Sequence, residues 1–547
     1  MAQNLYLGLD LSTQSLTAVV IDPLNKALQQ HAINFDSCYP AYQTTGGVII
    51  GDDPTVVHAD PLMWVAALDG MLIWLKKKGM SQYIRGIGVS AQQHGTVYLN
   101  QTFKRALSQL VPTKNFSVQL KGVFSRNTSP IWMDSSTSKE CREITDSLGG
   151  DRQVARLTGS IASERFAAPQ IRKFWKEKPA AYAKTSHIAL ISSFITSLLI
   201  SRFAPVDAGD GFGTNLADIR TGRWSPLAMV ATAPELEKRL PPLLVKDEMV
   251  GDVSSYLVSR YGFDPRTEVI VGSGDNPCSL VGLGLIGQPE TRAISLGTSD
   301  TYFGHMPELT DQKRTTGHVF GTADGNAMFL ICFKNGSLAR EQIKNRFGLN
   351  WNEFSEILLS TPAGNLGRIM LPYFLPEITP LVLEPKVGRF GGLTSDDVQA
   401  NVRAVVEAQV MAMFLHSNWT GPRPKRIFAT AGGSENRGLL NVIAQVFGAE
   451  VHSFEVKESA ALGAALRAAH CHQNAKGKST TWENLTEPFL RQSSARSAHP
   501  DQKQVEIYQS ENGLLGVYQA CEAFALDQGT DPHGKIMLFQ KLFSKEH

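Results

Sequence analysis

The hydrophobic pattern is clearest near the start of the chain, in LYLGLDLSTQSLTAVVID, residues 5–22, where small hydroxyl residues separate two apolar runs. Each run has the length of a β-strand, so the pattern predicts two strands around a turn. A carboxylate, Asp10, interrupts the first run at a position that should be buried. Because a buried carboxylate costs free energy unless a donor or a cation compensates it, Asp10 is a candidate functional residue.

Strand and helix patterns alternate along the rest of the chain, which indicates an α/β architecture. Residues 84–99 predict strand, polar loop and strand, whereas 268–284 predict a buried strand, a glycine-containing loop and a helix. Residues 291–305 predict a second strand–turn–strand, and 425–447 predict strand, glycine-rich turn and helix. The remaining predictions are a helix at 61–79, a buried core helix at 187–203, a long helix at 400–419, polar surface loops at 473–500 and a terminal helix at 512–526.

Two of these segments share one plan, which indicates a weak internal repeat. GLDLSTQSLTAVVI near the start and SLGTSDTYFG near residue 295 both contain an apolar strand, a small-hydroxyl turn and a second strand. The length of 547 residues also exceeds what one hydrophobic core usually serves. We therefore predict an N-terminal domain at 1–285 and a C-terminal domain at 286–547.

The composition argues against several kinds of partner. With 53 Lys and Arg against 51 Asp and Glu, the net charge gives no reason to expect a nucleic acid or a membrane. We expect no signal peptide, and the apolar segment 187–203 is too short and too polar to span a membrane. The six cysteines show no CxxC and no metal-ligand spacing, which predicts reduced thiols in a cytoplasmic protein.

The hairpins and the segment GSGDNP, residues 272–277, carry the most specific candidate chemistry. A turn of Gly, Ser and Thr exposes backbone N–H groups, which suit phosphate oxygens. Beside phosphates, the Asp10 carboxylate makes sense if Mg²⁺ lies between them; otherwise Asp10 is an ordinary turn residue. Asp275 stands where a helix should begin, which favours its charged form, but taken alone an N-capping role is the simpler explanation.

Other motifs are weaker when taken alone. AGGSEN, residues 431–436, is a glycine turn suited to a ribose or phosphate contact, and His94 of QQHG follows a strand, where a structural role is commoner. The chain has no GxxxxGK[ST] motif, which excludes a P-loop enzyme, and no HRD and DFG combination of a protein kinase. The order of the motifs along the chain is therefore more informative than any one of them.

In that order, the motifs resemble the FGGY family of carbohydrate kinases, from residue 5 to about residue 470. The resemblance rests on GLDLSTQSL, TTGGVII, PLMWVAALD, QQHGTVY, PIWMDSST, LTGSIASERF, GSGDNPCSLVGLG, ISLGTSDTYF, CFKNGSL and ATAGGSEN. It implies a two-domain α/β fold of the actin/Hsp70-like, ribonuclease H-like type, with a cleft between the domains. Within the family, the chain resembles the longer animal- and plant-like members that phosphorylate D-xylulose with ATP. Many bacterial members carry a shorter pattern, with Pro-Gly where this chain has residues 334–336.

The resemblance also implies roles for individual residues. Asp275 would be the catalytic base that takes the proton from the 5-hydroxyl of D-xylulose as its oxygen attacks the γ-phosphate of ATP. The sugar contacts fall on His94, Arg165, Asp275 and Asn276, and Asp10 matches the position associated with Mg²⁺ and the ATP phosphates. Further contacts to ATP fall on Thr13 of the first turn, Gly297 and Thr298 of the second, Gly432, Gly433, Ser434 and Asn436 at the adenosine site, and Trp351 against adenine.

Alternatives remain open for the base and for the substrate. Asp210 of VDAGDGFGTN is the rival for the base, with a structural or supporting role expected from a glycine-rich loop. The alternative substrates are another ketose or a polyol, such as ribulose, and a remote alternative is a non-catalytic nucleotide-binding module of the actin/Hsp70 kind. We expect a sugar and ATP as partners, and either a monomer or a homodimer.

Overall fold

The computed structural model describes residues 4–309, 315–454, 458–490 and 492–543. Unit 1, the first of two compact units, comprises Met1–Gly287, Pro307–Met328 and Lys457–Leu490. Unit 2 comprises Gln288–Met306, Phe329–Val456 and Arg491–His547. These units differ from the expected division into 1–285 and 286–547, because two later segments of the chain belong to unit 1. The division into two domains at about residue 285 stays a prediction.

The sheet of unit 1 has a parallel centre with an antiparallel hairpin on one side. Its strands are β1 Leu5–Leu11, β2 Ser15–Asp22, β3 Ala27–Asn34, β4 Ile84–Ala91, β5 Met249–Asp252, β6 Glu268–Ile270 and β7 Ser273–Gly274. They run in the order β5, β6, β4, β1, β2, β3, with β7 also paired to β4. Because β1, β6 and β7 are each parallel to β4, the carboxyl ends of four strands lie at one edge of the sheet, where α/β proteins bind ligands.

The sheet of unit 2 repeats the arrangement around its own hairpin. Its strands include β8 Thr291–Leu296, β9 Asp300–Met306, β10 Ala327–Phe333, β11 Arg426–Thr430, β12 Glu450–Phe454 and β13 Gln492–Ala498. They run in the order β10, β9, β8, β11, β12, β13. The internal repeat predicted two hairpins, and the structure contains both, β1–β2 and β8–β9. In each of them the first strand also pairs in parallel with another strand that comes later in the chain.

Helices pack against both units. They include α1 Pro61–Lys77, α2 Ile191–Ile200, α3 Ala208–Gly211, α4 Asp275–Gly282, α5 Trp351–Ser360, α6 Val398–His416, α7 Arg437–Phe447 and α8 Ser459–Ala475. Others span Thr102–Ser108, Ser138–Ser147, Asp151–Thr158, Ala167–Glu177, Pro226–Thr232, Ser255–Tyr261, Ser337–Arg346, Gln502–Gln509, Leu514–Ala525 and His533–Phe543. The alternation of helices and strands confirms the predicted α/β class.

Helix α8 explains why a late segment of the chain belongs to unit 1. A Cβ at Gly8 of β1 or at Gly88 of β4 would overlap backbone carbonyl groups of α8. On α8 itself, a Cβ at Gly463 would overlap the backbone of α4 at Cys278. The helix therefore contacts the two strands and α4 backbone to backbone, which only glycine permits at such distances.

Two predictions of local structure are wrong. The segment 187–203 was expected to be one buried helix, but Thr185–Leu190 is a strand that pairs with Thr96–Asn100, and only Ile191–Ile200 is helical. The segment 473–500 was expected to be surface loops, but its described part contains the helix Trp482–Thr486 and strand β13. In both cases pairing with a distant strand overrides the local pattern.

The structure also bears on the thiols and on the apolar segments. All six cysteines are free thiols, as their scattered positions predicted. Across the described ranges, the helices lack the combination of length and apolar character that a membrane span requires.

We predict that Gly88→Ala destabilises unit 1, because the new Cβ would overlap the carbonyl oxygen of Ala464 on α8. Overpacking of this kind costs about 1–3 kcal/mol, so the melting temperature measured by calorimetry should fall. Gly516→Ala is the matched control, since a Cβ there has no atom within 4 Å and Ala is the better helix former. The control should keep its melting temperature or raise it slightly, and an unchanged melting temperature for Gly88→Ala would contradict the close packing of α8.

Candidate active site

Several of the candidate residues of unit 1 lie at the carboxyl ends of three neighbouring strands. Asp10 is the penultimate residue of β1 and pairs with Ser90 of β4, which in turn pairs with Ser273 of β7. Gln93 and His94 follow β4, and Asp275 and Asn276 follow β7. The strand spacing places β1 and β7 roughly 10 Å apart, so the structure brings residues from distant parts of the sequence to one edge.

Asp10 lies in strand β1, as its position in the first apolar run predicted, and the alternative that it is an ordinary turn residue is wrong. Its side chain is buried, and one carboxylate oxygen accepts a hydrogen bond of 2.6 Å from the Ser90 hydroxyl. Burial raises the pKa of Asp10 to about 6; the Ser90 hydrogen bond opposes this rise, and the charge of Glu458 adds to it. The carboxylate is therefore mostly ionised at neutral pH, but at a cost to the folded state.

Asp275 is the first residue of α4, and Gly274 occupies the N-cap position. The N-capping role is therefore wrong for Asp275, whose carboxylate instead accepts hydrogen bonds from the backbone and side-chain nitrogens of Asn276, at 2.9 and 3.0 Å. Burial, and then the charge of Asp10, raise the pKa of Asp275 to about 7. The expectation that the helix start favours the charged form is thus corrected, because desolvation outweighs it.

Gln93 is a residue of this site that the sequence interpretation missed, although it stands beside His94 in QQHG. Its side-chain oxygen accepts a hydrogen bond of 2.8 Å from the Asn276 amide, and its nitrogen donates one of 2.9 Å to the carbonyl group of Gly209. The two bonds fix the orientation of both amides. Gln93 therefore connects the loop after β4 with the start of α4 and with α3.

His94 presents a hydrogen-bond acceptor. Its Nδ1 lies 2.7 Å from the carbonyl oxygen of Gly213, which only accepts, so Nδ1 carries a proton. Burial, and then the charge of Arg165, lower the pKa of His94 well below its ordinary value, so the ring is neutral. Its Nε2 therefore carries a lone pair that suits a hydroxyl donor, and stacking on Phe166, with ring centroids 4.2 Å apart, holds the ring in place.

Arg165 and Trp132 line a cavity of about 250 Å³, and Trp132 in turn contacts Thr13. The cavity is lined by Trp132, Met133, Asp134, Ser135, Ser163, Glu164 and Arg165. The Arg165 guanidinium lies 6.0 Å from the centre of the Trp132 ring, and the indole nitrogen donates a hydrogen bond of 2.9 Å to the Thr13 hydroxyl. The loop that carries Arg165 is thus linked through Trp132 to the turn between β1 and β2.

Asp210 is more deeply buried than Asp275 and lies in the short helix α3, not in a loop as expected. One of its carboxylate oxygens accepts a hydrogen bond of 2.6 Å from Ser192, and the other has no partner among the residues that the structure describes. Burial, and then the charges of Asp207 and Asp275, raise the pKa of Asp210 well above its ordinary value. This burial disfavours the charged form that a base requires, and the Asp210 carboxylate already accepts the Ser192 hydrogen bond, which favours Asp275 over Asp210 as the base.

In unit 2, the second hairpin turn lies beside the glycine turn of residues 432–435. Gly297 follows β8, and its carbonyl oxygen accepts a hydrogen bond of 3.0 Å from the Ser337 backbone, while Thr298 is exposed. Gly432–Glu435 forms a 3₁₀ turn in which a Cβ at Gly433 would lie 2.7 Å from the side chain of Leu296 at the end of β8. The structure therefore brings Gly297, Gly432 and Gly433 to neighbouring backbone segments.

Two of the other predicted adenosine contacts, Ser434 and Asn436, form hydrogen bonds with nearby backbone groups. The Ser434 hydroxyl donates a hydrogen bond of 2.7 Å to the Ala431 carbonyl group, and the Asn436 side chain caps α7 by accepting one of 3.0 Å from Leu439. Trp351 begins α5 and is exposed. One turn further along α5, the Ser355 hydroxyl accepts a hydrogen bond of 3.1 Å from the Gly438 backbone, so Trp351 lies on a helix that packs against the start of α7.

The ligands around Asp10 fit a hydrated Mg²⁺ ion, but they do not fit a metal ion that is coordinated by protein side chains alone. Within the described ranges, no cluster of three or more His, Cys, Asp or Glu side chains has the geometry to hold a metal. Mg²⁺ commonly keeps several waters and binds through one or two carboxylates and the phosphates of a substrate. The single carboxylate of Asp10 meets that requirement only together with phosphate oxygens.

Comparison with known proteins identifies the same family along most of the chain. The N-terminal domain of the FGGY family of carbohydrate kinases matches residues 127–282, and the C-terminal domain of that family matches residues 292–472. The chain is 38% identical to a xylulose kinase of Rattus norvegicus over 545 residues, which cover 96% of this chain and 98% of that protein. It is 38% identical to xylulose kinase 2 of Arabidopsis thaliana over 523 residues, which cover 90% and 91% of the two chains.

Among solved structures, the crystal structure of a xylulose kinase from Rhodospirillum rubrum matches with a TM-score of 0.78 at 20% sequence identity. The match covers 96% of this chain and 99% of that chain. Identity this low shows the fold alone.

We predict that Asp10→Asn stabilises the protein in the absence of nucleotide and Mg²⁺. The folded pKa of about 6 exceeds the ordinary value of 3.8, so ionisation of Asp10 lowers stability as the pH rises between these values. The gain should reach at most about 3 kcal/mol at pH 8 and shrink at pH 5, where much of the folded protein is already protonated at Asp10. Melting temperatures of both proteins at the two pH values measure this difference, and an equal gain at both would contradict it.

Proposed function

The chain belongs to the FGGY family of carbohydrate kinases, and on that premise we propose that it transfers the γ-phosphoryl group of ATP to D-xylulose, forming D-xylulose 5-phosphate. The observation that carries the proposal is Asp275, a carboxyl group of pKa about 7, beside Asn276 at the strand edge that also presents His94. The names of the rat and plant relatives support D-xylulose as the sugar. A cytoplasmic location and a monomeric or homodimeric state stay predictions.

The expected fold and enzyme class are confirmed. The family match and the similarity to a solved family structure establish the two-domain actin/Hsp70-like α/β fold and a carbohydrate kinase that uses ATP. The remote alternative, a non-catalytic nucleotide-binding module, is wrong because the family consists of carbohydrate kinases. The identity of the sugar and the roles of individual residues belong to the proposal.

The sugar site would use donors and acceptors of unit 1. His94 offers the lone pair of Nε2 to a hydroxyl donor, and the Arg165 guanidinium donates hydrogen bonds to hydroxyl or carbonyl oxygens. The Asn276 side-chain nitrogen already donates to Gln93 and Asp275, so its side-chain oxygen would accept a hydrogen bond from a hydroxyl group. Because Gln93 and Phe166 hold the amide and the imidazole in place, their directions are set before the sugar binds. A sugar that lacks a matched hydroxyl would leave a buried group unpaired, which supports selectivity for one ketose.

Asp275 would act as the general base. Its carboxylate accepts the proton of the 5-hydroxyl while the hydroxyl oxygen forms a bond to the γ-phosphorus and the bond to the bridging oxygen of ADP breaks. A base is most effective when its pKa lies near the working pH, and such a group contributes about 10²–10⁴-fold to the rate. The pKa of about 7 for Asp275 meets that condition.

The nucleotide contacts would come from both hairpins. In unit 1, Asp10 would hold Mg²⁺ through its carboxylate, and Thr13 belongs to the turn that would face the phosphates. The ion would neutralise negative charge on the β- and γ-phosphates. In unit 2, Gly297 and Thr298 would contact phosphate oxygens, Gly432, Gly433, Ser434 and Asn436 would bind the adenosine, and Trp351 would pack against adenine.

We predict that the purified protein consumes ATP rapidly only when D-xylulose is present. A coupled ADP assay with D-xylulose, D-ribulose, D-xylose and glycerol, each tested alone with MgATP, measures the preference. Phosphorus NMR of the product should place the phosphate on carbon 5. A higher kcat/KM with another sugar would overturn the choice of D-xylulose, and sugar-independent ATP consumption would overturn the sugar kinase itself.

We predict that Asp275→Asn keeps its fold and binds ATP but loses about 10²-fold or more in kcat, because the amide cannot accept the proton. Asp210→Asn is the matched control, since an amide keeps the shape of this buried side chain, whose charged form is disfavoured, and should leave kcat within about tenfold. Circular dichroism and calorimetric titration with ATP check the fold and the binding. If Asp275→Asn keeps about a tenth of the wild-type turnover or more, the base lies elsewhere.

A further inference from the structure

Arg467 of α8 lies buried behind the proposed sugar site and joins several of its elements. Its side chain is 1% exposed. The guanidinium donates hydrogen bonds to both carboxylate oxygens of Asp247, at 3.0 and 3.1 Å from Nε, and to an oxygen of Asp207 at 3.2 Å. It also donates to the Cys278 sulfur and to the Val271 carbonyl oxygen, both at 3.3 Å.

Through Asp207, Arg467 is linked to the segment that orients Gln93 and His94. The second carboxylate oxygen of Asp207 caps α3 by accepting a hydrogen bond of 2.9 Å from the Asp210 backbone. The carbonyl groups of Gly209 and Gly213, within and just after α3, accept the hydrogen bonds from Gln93 and His94. A shift of α3 would therefore move the partners of both side chains.

Through Cys278, Arg467 is linked to the helix that begins with Asp275. Cys278 follows Asp275 by three residues, so it lies one turn further along α4. A Cβ at Gly282 of α4 or at Gly463 of α8 would overlap the backbone of the other helix, so the two helices are in direct contact. Arg467 therefore contacts α4 where that helix packs against α8. The position of α4 in turn sets the direction of Asp275 and Asn276.

We propose that Arg467 is a positioning residue for phosphoryl transfer to the sugar, holding α3 and α4 in the relative arrangement that aims His94, Gln93, Asn276 and Asp275 at one substrate. This inference rests on the proposed function. The planar guanidinium supplies several donors in a fixed geometry, which a lysine ammonium group cannot reproduce. Misplacement of reacting groups by about 1 Å can cost about 10²-fold in rate, so the loss of this link should appear in the kinetics.

Arg403 of α6 in unit 2 is the matched control, because it is an equally buried arginine in an ion pair. Its guanidinium donates hydrogen bonds to Glu407, to the carbonyl group of Leu358 and to the Tyr508 hydroxyl, at 2.6 to 2.7 Å. None of these partners belongs to the proposed site. Arg403→Lys should therefore lower the melting temperature without a specific change in sugar kinetics.

We expect Arg467→Lys to raise the KM for D-xylulose and lower kcat, by about 10–10²-fold in kcat/KM, with the KM for ATP within about twofold of wild type. A purely structural role would lower stability but leave the properly folded fraction with wild-type KM values, as expected for Arg403→Lys. Two milder variants test the two links separately. Asp207→Asn keeps the cap of α3 but weakens the ion pair with Arg467. Cys278→Ala removes the hydrogen bond from Arg467 to the sulfur atom on α4. Each should change the same constants in the same direction, by less than Arg467→Lys.

The outcomes separate this inference from the proposed function. If the wild-type protein phosphorylates no sugar, the proposed function has failed, and the inference with it. If the wild-type protein is active but Arg467→Lys keeps its sugar KM and kcat, or changes both KM values equally, only the positioning role is overturned. If Arg467→Lys does not fold, Asp207→Asn and Cys278→Ala decide, and wild-type sugar kinetics in both would overturn the proposal.

Discussion

Direct backbone contact between α8 and the elements that carry the site is the constraint on which unit 1 depends. Gly8 and Gly88 in the sheet, and Gly282 and Gly463 between α4 and α8, are the positions where a Cβ would overlap a neighbouring backbone. Contacts without intervening side chains leave little room for adjustment, since protein interiors are already densely packed. The separation between β1, β4 and α4 is therefore set by α8, which comes from a late part of the chain.

The burial that follows from this packing raises the pKa values of three carboxyl groups of unit 1. Asp10, with a pKa of about 6, is suited to a permanent negative charge near a cation, and Asp275, with a pKa of about 7, to reversible proton transfer. Burial raises the pKa of Asp210 well above the ordinary value, so the charged form of this group is disfavoured. Environments that separate the pKa values of neighbouring carboxyl groups are a general way to assign different roles to chemically identical side chains.

The candidate residues show where sequence interpretation succeeds and where it stops. The hairpins were predictable because apolar runs and small-hydroxyl turns are local patterns, and His94 and Asp275 were found because they stand in short motifs. Gln93 was overlooked although its motif was identified, since nothing in the sequence shows which of two neighbouring amides turns towards Asn276. Arg467 has no local signal, because its partners precede it by about 190 to 260 residues.

The sequence by itself determined the family, the α/β class and most of the candidate residues, because hydrophobic periodicity and the order of motifs are properties of the chain. Only the tertiary structure decided that residues 457–490 belong to unit 1, that Thr185–Leu190 is a strand and that Asp275 does not cap its helix. It also decided the direction in which burial shifts the pKa of Asp10, Asp275 and Asp210. The physical reason is that pairing with distant strands, helix packing and desolvation depend on groups that are remote in the sequence and become neighbours only when the chain folds.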